Sequence, residues 1–135
     1  MKIRPEQLKN NLSHKLSPAY LISGDEPLLA QESADAVRAK AKESGFNGRE
    51  VFYSDGNFDW AQLYNEANAL SLFAEKKIIE IRITNGKPGD KGSKAICELC
   101  NHQNADNLIL VIAPKLEKGA QNSKWVKALE SAGVH

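Results

Sequence analysis

A chain of 135 residues with 41% hydrophobic and 26% charged content is long enough for one globular core and too short for two ordinary domains. Its 18 Lys and Arg against 17 Asp and Glu leave a formal charge of +1, which excludes a strong overall field for nucleic acid or an anionic membrane and makes any DNA contact a local one. No apolar run approaches the roughly 20 residues needed to span a bilayer, and Met1-Lys2-Ile3-Arg4-Pro5-Glu6 lacks the apolar core of a secretion signal, so the cytoplasm is the expected compartment.

A first helix is predicted from Glu6 to about Leu16, with Pro5 in its first turn and Leu8 and Leu12 as its apolar ridge. Ala19 to Ser23 reads as a buried strand ending at Gly24. A long helix follows, with Asp25 as N-cap and Pro27 in the first turn. Its stripe of Ala30, Ala34, Val37 and Ala41 is small-sided, which lets it lie close against a sheet. Gly45 ends this helix, and Glu50 to Ser54 is the next strand.

Asp55-Gly56-Asn57 supplies a turn, and Asp59 with Gln62 resembles a capping box for a helix whose face is Trp60, Leu63, Tyr64, Ala67 and Leu70. Ile78, Ile79, Ile81 and Ile83 form a third strand with β-branched residues on both faces. The Gly and Pro content of Thr84 to Gly92 reads as a loop, and Lys94 to His102 as a modest helix with Ile96, Leu99 and Cys100 inward. Leu108 to Ile112 is the most apolar strand. In the last helix Trp125, Val126 and Leu129 share a face, Gly133 fits a C′ position, and Val134-His135 looks like the first step of another strand.

Strands alternating with helices argue for an α/β fold in which a parallel sheet is covered on both faces. Right-handed crossovers leave few topologies, all doubly wound.

Between the Trp60 helix and the Ile-rich strand stand two large apolar residues, Leu72 and Phe73, beyond the end of the helical stripe at Leu70. Two readings are open. The side chains close the bottom of the core, as most Leu and Phe do, or they project from the turn as a plug for a partner's pocket.

The stretch Ala69-Leu70-Ser71-Leu72-Phe73-Ala74-Glu75-Lys76-Lys77-Ile78-Ile79 resembles the N-terminal domain of the delta subunit family of bacterial DNA polymerase III, the clamp-loader subunits that open the sliding clamp. Two further patches are similar to the same family. One is Tyr20-Leu21-Ile22-Ser23-Gly24-Asp25-Glu26-Pro27-Leu28-Leu29 followed by Gln31-Glu32-Ser33, and the other is Leu108 to Ile112 with Lys115-Leu116 close behind. The three patches come in the family's order.

The resemblance implies a fold like that of the P-loop ATPases of the AAA+ group, with a degenerate nucleotide site and no cofactor. It implies that residues 1–135 are the N-terminal, clamp-binding part of a longer three-domain chain, with two helical domains to follow. The implied partners are the sliding clamp (beta subunit) and the other loader subunits (gamma/tau and delta prime), with DNA reached indirectly through the assembled loader. That assembly belongs to a DNA polymerase holoenzyme at the bacterial replisome. By resemblance, Leu72 and Phe73 insert into a hydrophobic pocket of one clamp subunit, and Leu70 completes the apolar tip. Asn68 stands where many clamp-binding peptides begin with Gln, one methylene shorter.

In such a fold phosphates bind at the first strand-to-helix turn. A G-x-x-x-x-G-K-[ST] loop starting at Gly24 needs Gly at 29, Lys at 30 and Ser or Thr at 31, and the chain has Leu29, Ala30 and Gln31. Asp25 and Glu26 face the approach of an anion, and Pro27 removes an N–H. The fourth strand is followed by Ala113 and Pro114 rather than by an acidic residue for magnesium. The site reads as vestigial, without ATP hydrolysis.

Cys97 and Cys100 form C-x-x-C inside a helix, away from the helix N-terminus that stabilises a redox thiolate. With His102 alone nearby they lack a fourth zinc ligand, and they read as ordinary thiols, so no metal is expected. Lys87, Lys91 and Lys94 flank glycines without the strand-loop-helix register of a phosphate loop. His14, His102 and His135 are isolated from any Ser and carboxylate grouping, and Thr84 and Asn85 stand where a receiver domain would carry its phosphoacceptor Asp. The leading expectation is a non-catalytic clamp-binding module. The alternatives are a divergent nucleotide-binding enzyme and a receiver-like or DNA-binding scaffold.

Overall fold

A computed structural model describes residues 5–14, 16–17, 19–24, 27–54, 76–83, 89–101, 107–114 and 123–133. The elements are α1 (Pro5–His14), β1 (Ala19–Ser23), α2 (Pro27–Glu43), β2 (Phe46–Ser54), β3 (Lys76–Ile83), α3 (Gly89–Asn101), β4 (Asn107–Ala113) and α4 (Lys124–Ala132). The four strands form one sheet in the order β1-β4-β3-β2, and every neighbouring pair is parallel.

Side chains alternate across a strand, so each strand feeds two cores. One face carries Ala19 and Leu21 from β1, Ile79, Ile81 and Ile83 from β3, and Ile109 and Val111 from β4, packed with Ile96 and Leu99 of α3 and Trp125, Val126 and Leu129 of α4. The other carries Tyr20, Ile78, Leu108 and Leu110 against Leu8 and Leu12 of α1 and Ala34, Val37 and Ala41 of α2. The central strands are buried on both sides, hence their nearly continuous apolar runs. The small stripe of α2 sits flush on the sheet: Ala34, Val37 and Ala41 are each at most 1% exposed.

Three boundaries differ from the sequence expectation. The expected loop at Thr84 to Gly92 is helical from Gly89 onward, since α3 starts there. Packing of Ile96 and Leu99 on the sheet outweighs the roughly 1 kcal/mol that each helical Gly costs. β2 begins at Phe46 rather than Glu50, continued through a register shift between Phe46 and Gly48. A bulge of this kind lets a strand absorb an extra residue. α1 ends at His14, and Leu16 beyond it still packs on the α2-side core.

The two helix-ending glycines serve different purposes. Gly45 has φ +100, and the Ser44 and Gly45 N–H groups cap the carbonyls of Lys40 and Lys42, as expected of a left-handed terminator. Gly133 has φ −162, extended backbone that any residue adopts, so it is not the left-handed C′ residue. A Cβ there would lie 1.8 Å from the Ala19 carbonyl oxygen, so glycine is required for the close approach of α4 to β1.

Candidate functional site

β1 ends at Ser23 and α2 begins at Pro27, so residues 24–26 alone connect them. Leu29, Ala30 and Gln31, at the second-glycine, lysine and hydroxyl positions of a phosphate loop, already lie inside α2. A phosphate loop works by wrapping free backbone N–H groups around the anion. Here α2 begins at Pro27, two residues before the second-glycine position, so the loop is cut short and the helix opens on a proline without an N–H. Leu28 and Leu29 are 67% and 47% exposed, and Gln31 is exposed too. Among the described residues, the start of α2 therefore presents apolar side chains, with Ala30 where a phosphate loop carries its lysine. On the neighbouring strand Ala113 is buried and pairs with Ser23. Among the described residues, no group of three or more His, Cys, Asp and Glu could hold a metal ion.

The other expected site residues divide. Leu70, Leu72 and Phe73 lie outside the described residues, as do Asn68, the Trp60 helix, Asp25, Glu26, Thr84, Asn85, Lys87, His102, Val134 and His135. Lys94 is exposed on α3, inside the helix expected from it onward. Cys100 is buried in the α3-side core with Cys97 half-buried beside it. Burial, then the neighbouring Cys97, pushes the Cys100 thiol up to about 12, so it stays protonated and unreactive at neutral pH.

Sequence reasoning missed Glu80. Its side chain is 0% exposed, the one buried charged side chain among the described residues. It stands on β3 between Ile78 and Arg82, on the α2 side of the sheet. Arg38 of α2 donates from Nη1 to Oε1 at 2.6 Å. Arg49 of β2 donates from Nε to Oε1 at 3.1 Å and from Nη2 to Oε2 at 3.0 Å, and Arg82 donates from Nε to Oε2 at 2.8 Å. Arg38 also reaches Asp35, one helical turn away, at 2.6 Å. Burial alone would raise the Glu80 carboxyl, but the hydrogen bonds from Arg49, Arg82 and Arg38 outweigh it and hold the group below its ordinary value. The available signal was a lone Glu among isoleucines with an Arg two residues on, which strand alternation places on the same face.

A parallel α/β sheet whose first strand-to-helix turn lacks the second glycine, the lysine and the hydroxyl of a phosphate loop defines an α/β domain without that loop's nucleotide-holding groups. Residues 20–135 match the family model described as DNA polymerase III, delta subunit, and the chain belongs to that family. It is 34% identical over 134 residues to DNA polymerase III subunit delta of Escherichia coli, covering 99% of this chain and 39% of that protein. The corresponding Haemophilus influenzae protein is 31% identical over 124 residues, 92% of this chain and 36% of the relative. The chain thus spans little more than a third of the length of these relatives. Among solved structures, a Bacillus subtilis DNA clamp loader delta protein superposes with a TM-score of 0.69 over 97% of this chain and 41% of the other, at 18% identity, which supports the fold. No described helix is long and apolar enough to cross a membrane.

Proposed function

We propose that this chain is the N-terminal, clamp-binding domain of a replicative clamp-loader delta subunit, which binds the sliding clamp and helps open it for loading on primed DNA. The observation that carries the reading is family membership across residues 20–135, joined to a nucleotide turn that lacks its lysine, its hydroxyl and its second glycine. Without those groups the domain neither binds nor hydrolyses ATP, and the energy of opening comes from differential affinity for the open and closed clamp. The motor subunits beside it, gamma/tau, and the delta prime subunit are its partners in a cytoplasmic, replisome-associated assembly. That assembly delivers the clamp to primed DNA.

Leu72 and Phe73 anchor the contact and Leu70 completes its tip. Fully burying large apolar side chains contributes about 1.5–3 kcal/mol each, enough for two of them to dominate a small interface. Calorimetric titration of a purified bacterial clamp with the protein tests this directly. Binding is expected at the same affinity with and without ATP, and ATP alone is expected to give no heat of binding. A clamp affinity that requires ATP, or saturable ATP binding by this domain, would contradict it.

A further inference from the structure

The α2-side face of the β2–β3 pair carries a strip that the clamp reading leaves unused. In register along the two strands stand Phe46 opposite Lys76, Arg49 opposite Ile78, and Tyr53 opposite Arg82. The Lys76 ammonium lies 5.4 Å from the centre of the Phe46 ring. Tyr53 is 58% exposed, unusual for a ring in a strand that packs a core. The side chains of Arg49 and Arg82 are 45% and 37% exposed although each is hydrogen-bonded to the buried Glu80.

From Lys76 to Arg82 the strip runs six strand residues, about 20 Å. Four cations, Lys76, Arg49, Arg82 and the Arg38 of α2, against the two carboxylates of Glu80 and Asp35 leave it positive, in a protein whose overall charge is close to zero. Glu80 engages one edge of each guanidinium, and a guanidinium carries five N–H donors in a planar fork. The arginines are therefore held in place before any ligand arrives, which lowers the ordering cost of a second acceptor.

Cations interleaved with rings along an extended track match a polymer whose charges and flat apolar faces alternate. We propose that this strip contacts single-stranded nucleic acid, with phosphates at Lys76, Arg49 and Arg82 and a base stacked on Tyr53. An acidic peptide would use the cations but gain little from the Tyr53 ring.

The test is fluorescence anisotropy of a labelled oligothymidylate of about 15 nucleotides titrated with the protein from about 50 mM salt upward. Three single-strand phosphate contacts predict a log affinity against log salt slope of about −2. Tyr53→Ala is expected to weaken binding about fivefold or more. Lys76→Gln and Arg82→Gln are each expected to weaken it and to reduce the slope by about 0.7. Tyr53→Ala and Lys76→Gln leave the Glu80 network intact, so their circular dichroism and melting midpoints should match the parent. Clamp binding by Tyr53→Ala, measured in parallel, should also be unchanged, which separates this surface from the clamp contact. No oligonucleotide binding at about 50 mM salt, equal binding by Tyr53→Ala and Lys76→Gln, or a polyglutamate peptide displacing the oligonucleotide at lower concentration would each overturn the proposal.

Discussion

Glu80 concentrates most of the buried electrostatics in one side chain. A carboxylate taken fully out of water is costly unless its oxygens are satisfied, and here three arginines supply four hydrogen bonds. Glu80→Gln keeps the volume but removes the charge that these guanidinium groups face. Removing one partner of a buried ion pair costs 3–5 kcal/mol. Because Arg49 and Arg82 are partly solvated, about 3 kcal/mol is expected, read as a shift in the urea midpoint. The folded-state carboxyl is held below its ordinary value, so the unfolded chain binds more protons in the acid range. This contribution is complete above the unfolded glutamate value of about 4.3 and is lost as pH falls through the lower folded value. The parent should therefore lose stability more steeply than Glu80→Gln on acidification below about pH 5, and superimposable acid-unfolding curves would contradict the assignment. Little of this was legible in the sequence. Arg49 and Arg38 lie 31 and 42 residues from Glu80, and no local pattern joins them.

The helices and strands were legible wherever an apolar pattern reached both faces of the sheet. β1 was expected at Ala19 to Ser23 and lies there, and the inward residues expected for α2, α3 and α4 are buried, apart from the half-buried Ala30. What misled was glycine. Gly89 and Gly92 read as loop but lie in α3, and Gly133 read as a left-handed terminator but supplies space. These two roles separate by substitution. At Gly45 an added methyl meets only the tip of Lys76 at 3.9 Å, so Gly45→Ala should cost about 1–2 kcal/mol through its positive φ alone. At Gly133 it meets the Ala19 backbone, which a side-chain rotation cannot relieve. Gly133→Ala should therefore cost about 3 kcal/mol, the upper part of the overpacking range, as α4 is displaced from β1. Thermal melts of the two variants check the order, and equal midpoints would show that the α4–β1 contact yields easily.

At the scale of the whole molecule, the sheet order β1-β4-β3-β2 puts the C-terminal ends of β1 and β4 beside the turn into α2, the place where such sheets bind ligands. The residue arithmetic at Gly24, Leu29, Ala30 and Gln31 was legible because a phosphate loop has fixed spacing. The helix entering at Pro27 adds a geometric reason that spacing alone does not contain. In the proposed function the domain works by contact with the clamp, and the residues proposed for that contact are Leu70, Leu72 and Phe73. The decisive measurement is clamp affinity of the parent and of the Leu72→Ala plus Phe73→Ala variant by surface plasmon resonance, with melting midpoints recorded for both. Loss of two buried anchors worth about 1.5–3 kcal/mol each predicts binding at least a hundredfold weaker at an unchanged midpoint. Unchanged affinity, or a midpoint lowered by several degrees, would place the two side chains in the core and contradict the clamp-anchor account.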